Sequence, residues 1–182
     1  MPRRPPLLSG VLAVLCTTGC VEAFGTDDPH DPGDALGTFH LTAKQTQNGC
    51  GEGALGAPAS WEFDVKLAWG EGQLFWNSGG DVLVGTLSED RRSFEIATTV
   101  LMDMRTEEDP GKPPCSIQRV DVAKGTLELS EDAVTSFGGT LSYAFDPTVD
   151  SDCTDLLGPE TPVLAALPCS MAYSFTAPRT GD

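Results

Sequence analysis

The side chains that could do chemistry in this 182-residue sequence are two histidines, six cysteines and a large excess of carboxylates. A Ser-His-Asp or Cys-His site would have to be built on His30 or His40. His30 lies in an Asp-, Pro- and Gly-rich stretch with no framework to orient a base. His40 falls on the polar face of a predicted strand. The sequence contains no Gly-x-Ser-x-Gly, no His-Glu-x-x-His and no phosphate-cradling glycine loop. Paired carboxylates could hydrolyse glycosides, but 27 acidic residues supply candidate pairs everywhere, so such pairing carries no information. Two acidic clusters could offer oxygen ligands to calcium. One is Asp27, Asp28, Asp31 and Asp34, which lacks the spacing and distal glutamate of an EF-hand. The other is Asp146, Asp150, Asp152 and Asp155, beside Cys153, where a disulfide could hold it in shape. No Cys-x-x-Cys spacing supports zinc. The expectation is a protein without catalytic residues, cofactor or resident metal, with Asp146, Asp150 and Asp152 as the remaining calcium candidates.

The cysteines fall into two groups, and the first lies in an address signal. Arg3 and Arg4 make a positive start. An apolar run over residues 7–16 follows, too short to span a bilayer, which takes roughly 20 residues. The run ends in Cys16-Thr17-Thr18-Gly19-Cys20. Small residues directly before a cysteine resemble the lipobox of bacterial lipoproteins, with Thr17 standing where leucine is usual. The resemblance implies cleavage after residue 19 and diacylglycerol and acyl modification of Cys20, which anchors the mature chain in a membrane. Arg3-Arg4 is followed by Pro5-Pro6-Leu7-Leu8, a poor match to a twin-arginine signal, so the general export route is expected. Val21, a residue other than Asp after the cysteine, points by the same resemblance to the outer membrane.

Cleavage would remove Arg3 and Arg4 from the 11 basic residues and move the formal charge from −16 to −18. Such a surface repels nucleic acid and anionic membranes and attracts cations or basic partners. Export also takes the chain into an oxidising compartment, where Cys50, Cys115, Cys153 and Cys169 read as two disulfides. Four cysteines permit three pairings. The preferred one joins Cys153 to Cys169 across a short connection, contributing about 3 kcal/mol, and Cys50 to Cys115 across a longer loop, contributing a little over about 4 kcal/mol.

The elements that must carry these residues are strands. Residues 21–36 hold five acids, two prolines, two glycines and no basic residue, and read as a flexible tether. From Gly37 onward apolar residues recur every second position. Phe39, Leu41 and Ala43 share one face. Over residues 61–69, Trp61, Phe63, Val65, Leu67 and Trp69 align on one side of a strand, whereas a helix would scatter them. Gly70-Glu71-Gly72 turns the chain into residues 73–77, and Asn77 to Asp81 turns it again. Further strands are expected at residues 81–87, 93–102, 116–122, 125–129, 139–145 and 170–176. Lys124-Gly125 reads as a bend or bulge, residues 130–137 as a connection, and Thr161-Pro162 as the start of a short helix through Leu167.

Eight or nine short strands joined by tight turns predict an all-β domain over residues 37–178, with a tail at 179–182. Consecutive hairpins make antiparallel neighbours, and closing the sheet removes exposed edges. The predicted fold is an antiparallel up-and-down barrel of about eight strands, with a two-sheet sandwich as the alternative. Gly37-Thr38-Phe39 on the opening strand resembles the Gly-x-Trp start of lipocalins, with Phe in place of Trp, and implies a lipocalin-like barrel. Trp61, Phe63, Trp69, Phe94, Tyr143, Phe145, Tyr173 and Phe175 are then core residues or the lining of a ligand cavity. Two roles follow: a structural or protein-interaction lipoprotein of the envelope, or a carrier of a small apolar ligand. A filled interior fits the first, and an apolar cavity opening at one barrel end fits the second.

Overall fold

A computed structural model describes residues 32–105, 111–131, 133–157 and 163–181. They form a closed antiparallel barrel in which each strand pairs with the next and the last returns to the first. The strands are β1 (Asp34–Asn48), β2 (Ser60–Gly70), β3 (Gln73–Asn77), β4 (Leu83–Leu87), β5 (Ser93–Asp103), β6 (Ser116–Ser130), β7 (Ala133–Pro147) and β8 (Cys169–Gly181). The sandwich is excluded. Among the described residues the only helical turns are short 3₁₀ segments, Ala54–Gly56 and Thr154–Leu157. The expected helix to Leu167 does not form over residues 163–167, and Thr161 and Pro162 lie outside the described residues. Backbone bonds instead tie Val163 and Leu164 to the Leu156 carbonyl and Ala165 to that of Cys50, and Leu164 is fully buried.

Several boundaries differ from the sequence expectation. The expected tether ends earlier, because β1 already pairs Asp34 with Trp69 and Ala35 with Ala68. Residues 179–181 of the expected C-terminal tail are the end of β8, where Arg179 pairs with Phe39 and Gly181 with Thr38. Of the expected connection over residues 130–137, Ser130 ends β6 and residues 133–137 open β7. Opposite Glu128 and Leu129 sit Ser136 and Val134, which leaves Thr135 as an extra residue in a bulge. Val134 and Phe137 therefore both face inward and are buried, and simple alternation fails there. Lys124-Gly125 is neither a bend nor a bulge. Gly125 pairs with Gly139 across the sheet, and a Cβ on Gly125 would lie 2.6 Å from the Phe94 ring. The bare backbone lets that ring pack close against β6, and the strand runs through.

The disulfide pairing differs too. Cys50 is bonded to Cys169 and Cys115 to Cys153, each pair with Cα atoms 5.1 Å apart. Strand closure decides this. Pairing of Asn48 with Met171 brings the end of β1 beside the start of β8, and pairing of Ile117 with Pro147 brings the start of β6 beside the end of β7. The bridges thus link strands adjacent in the barrel, whereas the expected pairing linked cysteines adjacent along the chain.

The barrel is filled at one end. Phe137 meets Phe39, Trp76, Phe94 and Phe175 at ring-centroid distances of 5.1, 5.6, 6.0 and 5.7 Å, all edge to face. Such pairs each contribute about 0.5–1.5 kcal/mol beyond area burial. All five rings are no more than 4% exposed. We call this end the floor and the opposite end, where the disulfides lie, the mouth.

Candidate functional site

Towards the mouth, the wall of the barrel thins. β3 and β4 have five residues each. β3 pairs with β2 only over Lys66–Gly70, and β4 pairs with β5 only through Thr86–Glu95 and Leu87–Phe94. Among the described residues, the upper parts of β2 and β5 have no ladder partner on the sides that face the short hairpin. Burial of the inward-facing residues falls off accordingly. On β2, Leu67 and Val65 are buried, while Phe63 and Trp61 are half-buried. On β5, Phe94 and Ile96 are buried, Thr98 is half-buried and Val100 is 38% exposed.

This notch opens into a hollow. One chamber of about 300 Å³ is lined by Trp61, Phe63, Trp76, Leu83, Ile96, Asp121 and Tyr143 among others. A second of about 390 Å³ includes Trp61, Met102, Arg119, Asp121, Tyr143, Phe145 and Tyr173. Trp61, Asp121 and Tyr143 belong to both. Volumes of this order suit a small ligand. A wider depression of about 620 Å³ is lined by Gly125, Gly138 and Gly139 among others, with Phe94 as the one aromatic in its lining. It lacks the converging aromatic walls and inward-facing polar pair of the hollow.

That polar pair is Arg119 and Asp121 on β6. Arg119 donates from Nε and one terminal nitrogen to the two carboxylate oxygens of Asp121, at 2.7 and 2.8 Å. The guanidinium carbon also lies 5.8 Å from the Tyr143 ring centre. A bidentate pair of this kind is fixed in orientation. Removing one member would strand the other in a partly desolvated wall, which costs more than the intact pair contributes. Burial, and secondarily the Asp121 charge, push the Tyr143 hydroxyl up to about 12. Tyr143 is therefore a neutral phenol at any physiological pH. Tyr173 closes the second chamber, accepting from the Gln45 side chain and donating to the Pro58 carbonyl, both at 3.1 Å. The Trp61 indole N–H is the single buried side-chain donor or acceptor without a hydrogen-bond partner among the described residues. Leaving such a group unpaired costs about 1–3 kcal/mol.

The residues singled out from sequence separate into three groups. Trp61, Phe63 and Tyr143 line the hollow, joined at its rim by the buried Phe145 and Tyr173. Phe94 and Phe175 belong to the floor cluster. Trp69 belongs to neither: it is half-buried near the floor end of β2, with the Arg91 guanidinium carbon 3.5 Å over its ring. Trp76, Arg119 and Asp121 were not foreseen. Trp76 sits in a five-residue strand too short for alternation to be convincing. On β6 the outward positions carry Val120 and Val122 and the inward ones Arg119 and Asp121, so the polar and apolar faces are exchanged halfway along. Ile117 and Leu127, both buried at odd positions, are the signal that could have placed them.

The calcium candidates are not gathered. Asp152 accepts hydrogen bonds from the Thr154 hydroxyl and amide, which hold its carboxyl below the usual range. Asp155 is held low chiefly by Arg105, whose two terminal nitrogens donate to it at 3.1 and 2.9 Å, with Lys112 beside it. Asp146 and Asp150 are exposed. No group of three or more His, Cys, Asp or Glu among the described residues is placed to hold a metal. Asp34 begins β1, and Asp27, Asp28 and Asp31 lie outside the described residues. His40 stands outside the barrel across from Asp64, 2.7 Å from its carboxylate and 3.7 Å from that of Glu62. His30, Cys20 and the rest of the signal region lie outside the described residues.

Comparison with protein-family models, with curated proteins and with solved structures found no match for this chain.

Proposed function

We propose that this protein is an exported envelope lipoprotein, anchored through Cys20 in the outer membrane, whose barrel carries a small, mainly apolar ligand in the half-open hollow. The observation that carries the reading is the division of the interior: a floor packed with edge-to-face aromatics, and above it an aromatic-walled space entered through the notch between β2 and β5. A barrel built only as a scaffold has no need of the upper space. The charged pair there, Arg119 with Asp121, is mutually satisfied and suits orienting a ligand's polar end rather than bond chemistry, so the role we assign is non-enzymatic. The anchor rests on the lipobox resemblance.

The test is native mass spectrometry of the protein extracted from membranes, together with a titration of tryptophan emission by a neutral apolar probe. A co-purifying ligand, or saturable quenching that weakens in Phe63→Ala, is the expected result. A folded protein with neither overturns the carrier reading. For the anchor, Cys20→Ala should release the protein from washed membranes, and retention would refute it. A protein-interaction role remains the second reading, and the edge of β5 that no strand among the described residues covers is the observation that favours it.

A further inference from the structure

The walls of the hollow fix the sign of charge that a ligand can bring into it. Trp61, Phe63 and Trp76 stand in a row, with successive ring centres 5.2 and 6.3 Å apart. All three line the first chamber, together with Tyr143 from β7. Aromatic rings carry negative charge on their faces, and several around one space attract an organic cation. The same lining includes two carboxylates, Glu62 and Asp121, and no lysine, arginine or histidine among the described residues. The Asp121 side chain is 22% exposed, whereas Glu62 is exposed at the rim. Around them the chain carries a formal −16, and a cleft walled by one sign of charge concentrates the opposite sign.

Arg119 is the one base among the described residues that line either chamber, and it lines the second only. Its Nε and one terminal nitrogen are held by the Asp121 oxygens. An entering anion would have to break this pair and strand Asp121, whereas an entering cation leaves it intact. The guanidinium carbon lies 5.8 Å from the Tyr143 ring centre, so the protein's own cation already takes that ring, and the rings left for a ligand are Trp61, Phe63 and Trp76. We propose that the hollow selects a ligand bearing an organic ammonium group, seated in the first chamber against those three rings, with its apolar body towards Met102, Phe145 and Met171 of the second chamber. The assignment rests on the carrier reading and gives its ligand a chemical class.

Two probes of one shape test it. Benzyltrimethylammonium and neopentylbenzene differ in a single atom, a charged nitrogen in one and a neutral carbon in the other. Quenching of tryptophan emission in the full-length protein, referred to free probe measured by equilibrium dialysis, gives both affinities. In a merely apolar cavity the cation sheds its water without compensation, and the neutral probe should bind tighter by about a hundredfold or more. The expected result is a cation that binds at least as tightly as its neutral isostere, with no binding of phenylmethanesulfonate, an anion of similar size. Phe63→Leu keeps bulk and removes one ring, and should lower the ratio of cation to neutral affinity by about threefold. Far-ultraviolet circular dichroism establishes that the variant folds. Tighter binding of the neutral probe or of the anion overturns the ammonium assignment and leaves the carrier reading in place, as does an unchanged ratio in Phe63→Leu. Absence of binding by all three probes overturns both.

Discussion

Replacing Phe137 with alanine should cost far more stability than replacing Phe63, although both are inward-facing phenylalanines of the same barrel. Phe137 is 2% exposed and touches four other rings. Burying a phenylalanine fully and then truncating it costs about 3–5 kcal/mol, with values near the top where neighbours cannot collapse into the space. Four bulky rings held by four different strands cannot, so about 4 kcal/mol or more is expected. Phe63 is half-buried and meets Trp61 and Trp76 at 5.2 and 6.3 Å, with the hollow on its other side. Truncation there enlarges a space already present, so about 2 kcal/mol is expected. Urea unfolding under non-reducing conditions reads the difference. With a slope of about 2 kcal/mol per molar, midpoints should fall by about 2 M for Phe137→Ala and about 1 M for Phe63→Ala at unchanged slope. Equal losses at the two sites would mean that the mouth is packed as tightly as the floor, and would remove the physical basis of the hollow.

Non-reducing peptide mapping should recover Cys50 linked to Cys169 and Cys115 linked to Cys153, and any Cys153–Cys169 peptide would contradict the strand closure. The bridges close loops separated by 119 and 38 residues, so on loop entropy alone removing the first pair should destabilise by about 1 kcal/mol more than removing the second. His40 donates a hydrogen bond to the Asp64 carboxylate, which raises its pKa above the ordinary imidazole value. Whatever stability it contributes is therefore full below the unfolded value of about 6.5 and is lost as pH rises through the higher folded value. Nuclear magnetic resonance titration should place the His40 midpoint above 6.5 in the wild type and lower in Asp64→Asn, and an unchanged midpoint in that variant would refute the assignment. In Tyr173→Phe, which leaves Tyr143 as the sole tyrosine, ultraviolet titration should show the remaining phenol ionising near about 12; ionisation near the ordinary value of about 10 would mean that the ring is solvated.

Much of this architecture was written locally. Alternation over Trp61 to Leu67 and over Met171 to Phe175 decides which faces turn inward, because successive strand side chains point to opposite sides. Gly70-Glu71-Gly72 requires a turn, with Glu71 and Gly72 at positive φ, and the short spacing between strands makes each the antiparallel neighbour of the next. A meander that closes on itself followed from those features. The failures are equally local in origin. At Thr135 an extra residue shifts the phase of alternation, at Gly125 a missing side chain admits Phe94 instead of breaking the strand, and at β6 Val120 and Val122 face outward while Arg119 and Asp121 face in.

What the sequence determined by itself is the strand pattern and the acidity, both properties of residues one or two positions apart, together with the cysteine count. What only the tertiary structure decided is which distant residues meet. Cys50 finds Cys169 because the first and last strands close the barrel. Arg119 and Asp121 share a wall with Trp61 and Tyr143 because β6 and β2 stand across an interior from one another. The hollow exists because β3 and β4 are shorter than the strands flanking them. Closure joins residues more than a hundred positions apart through the hydrogen bonding of a whole sheet, and no local window of sequence contains that constraint.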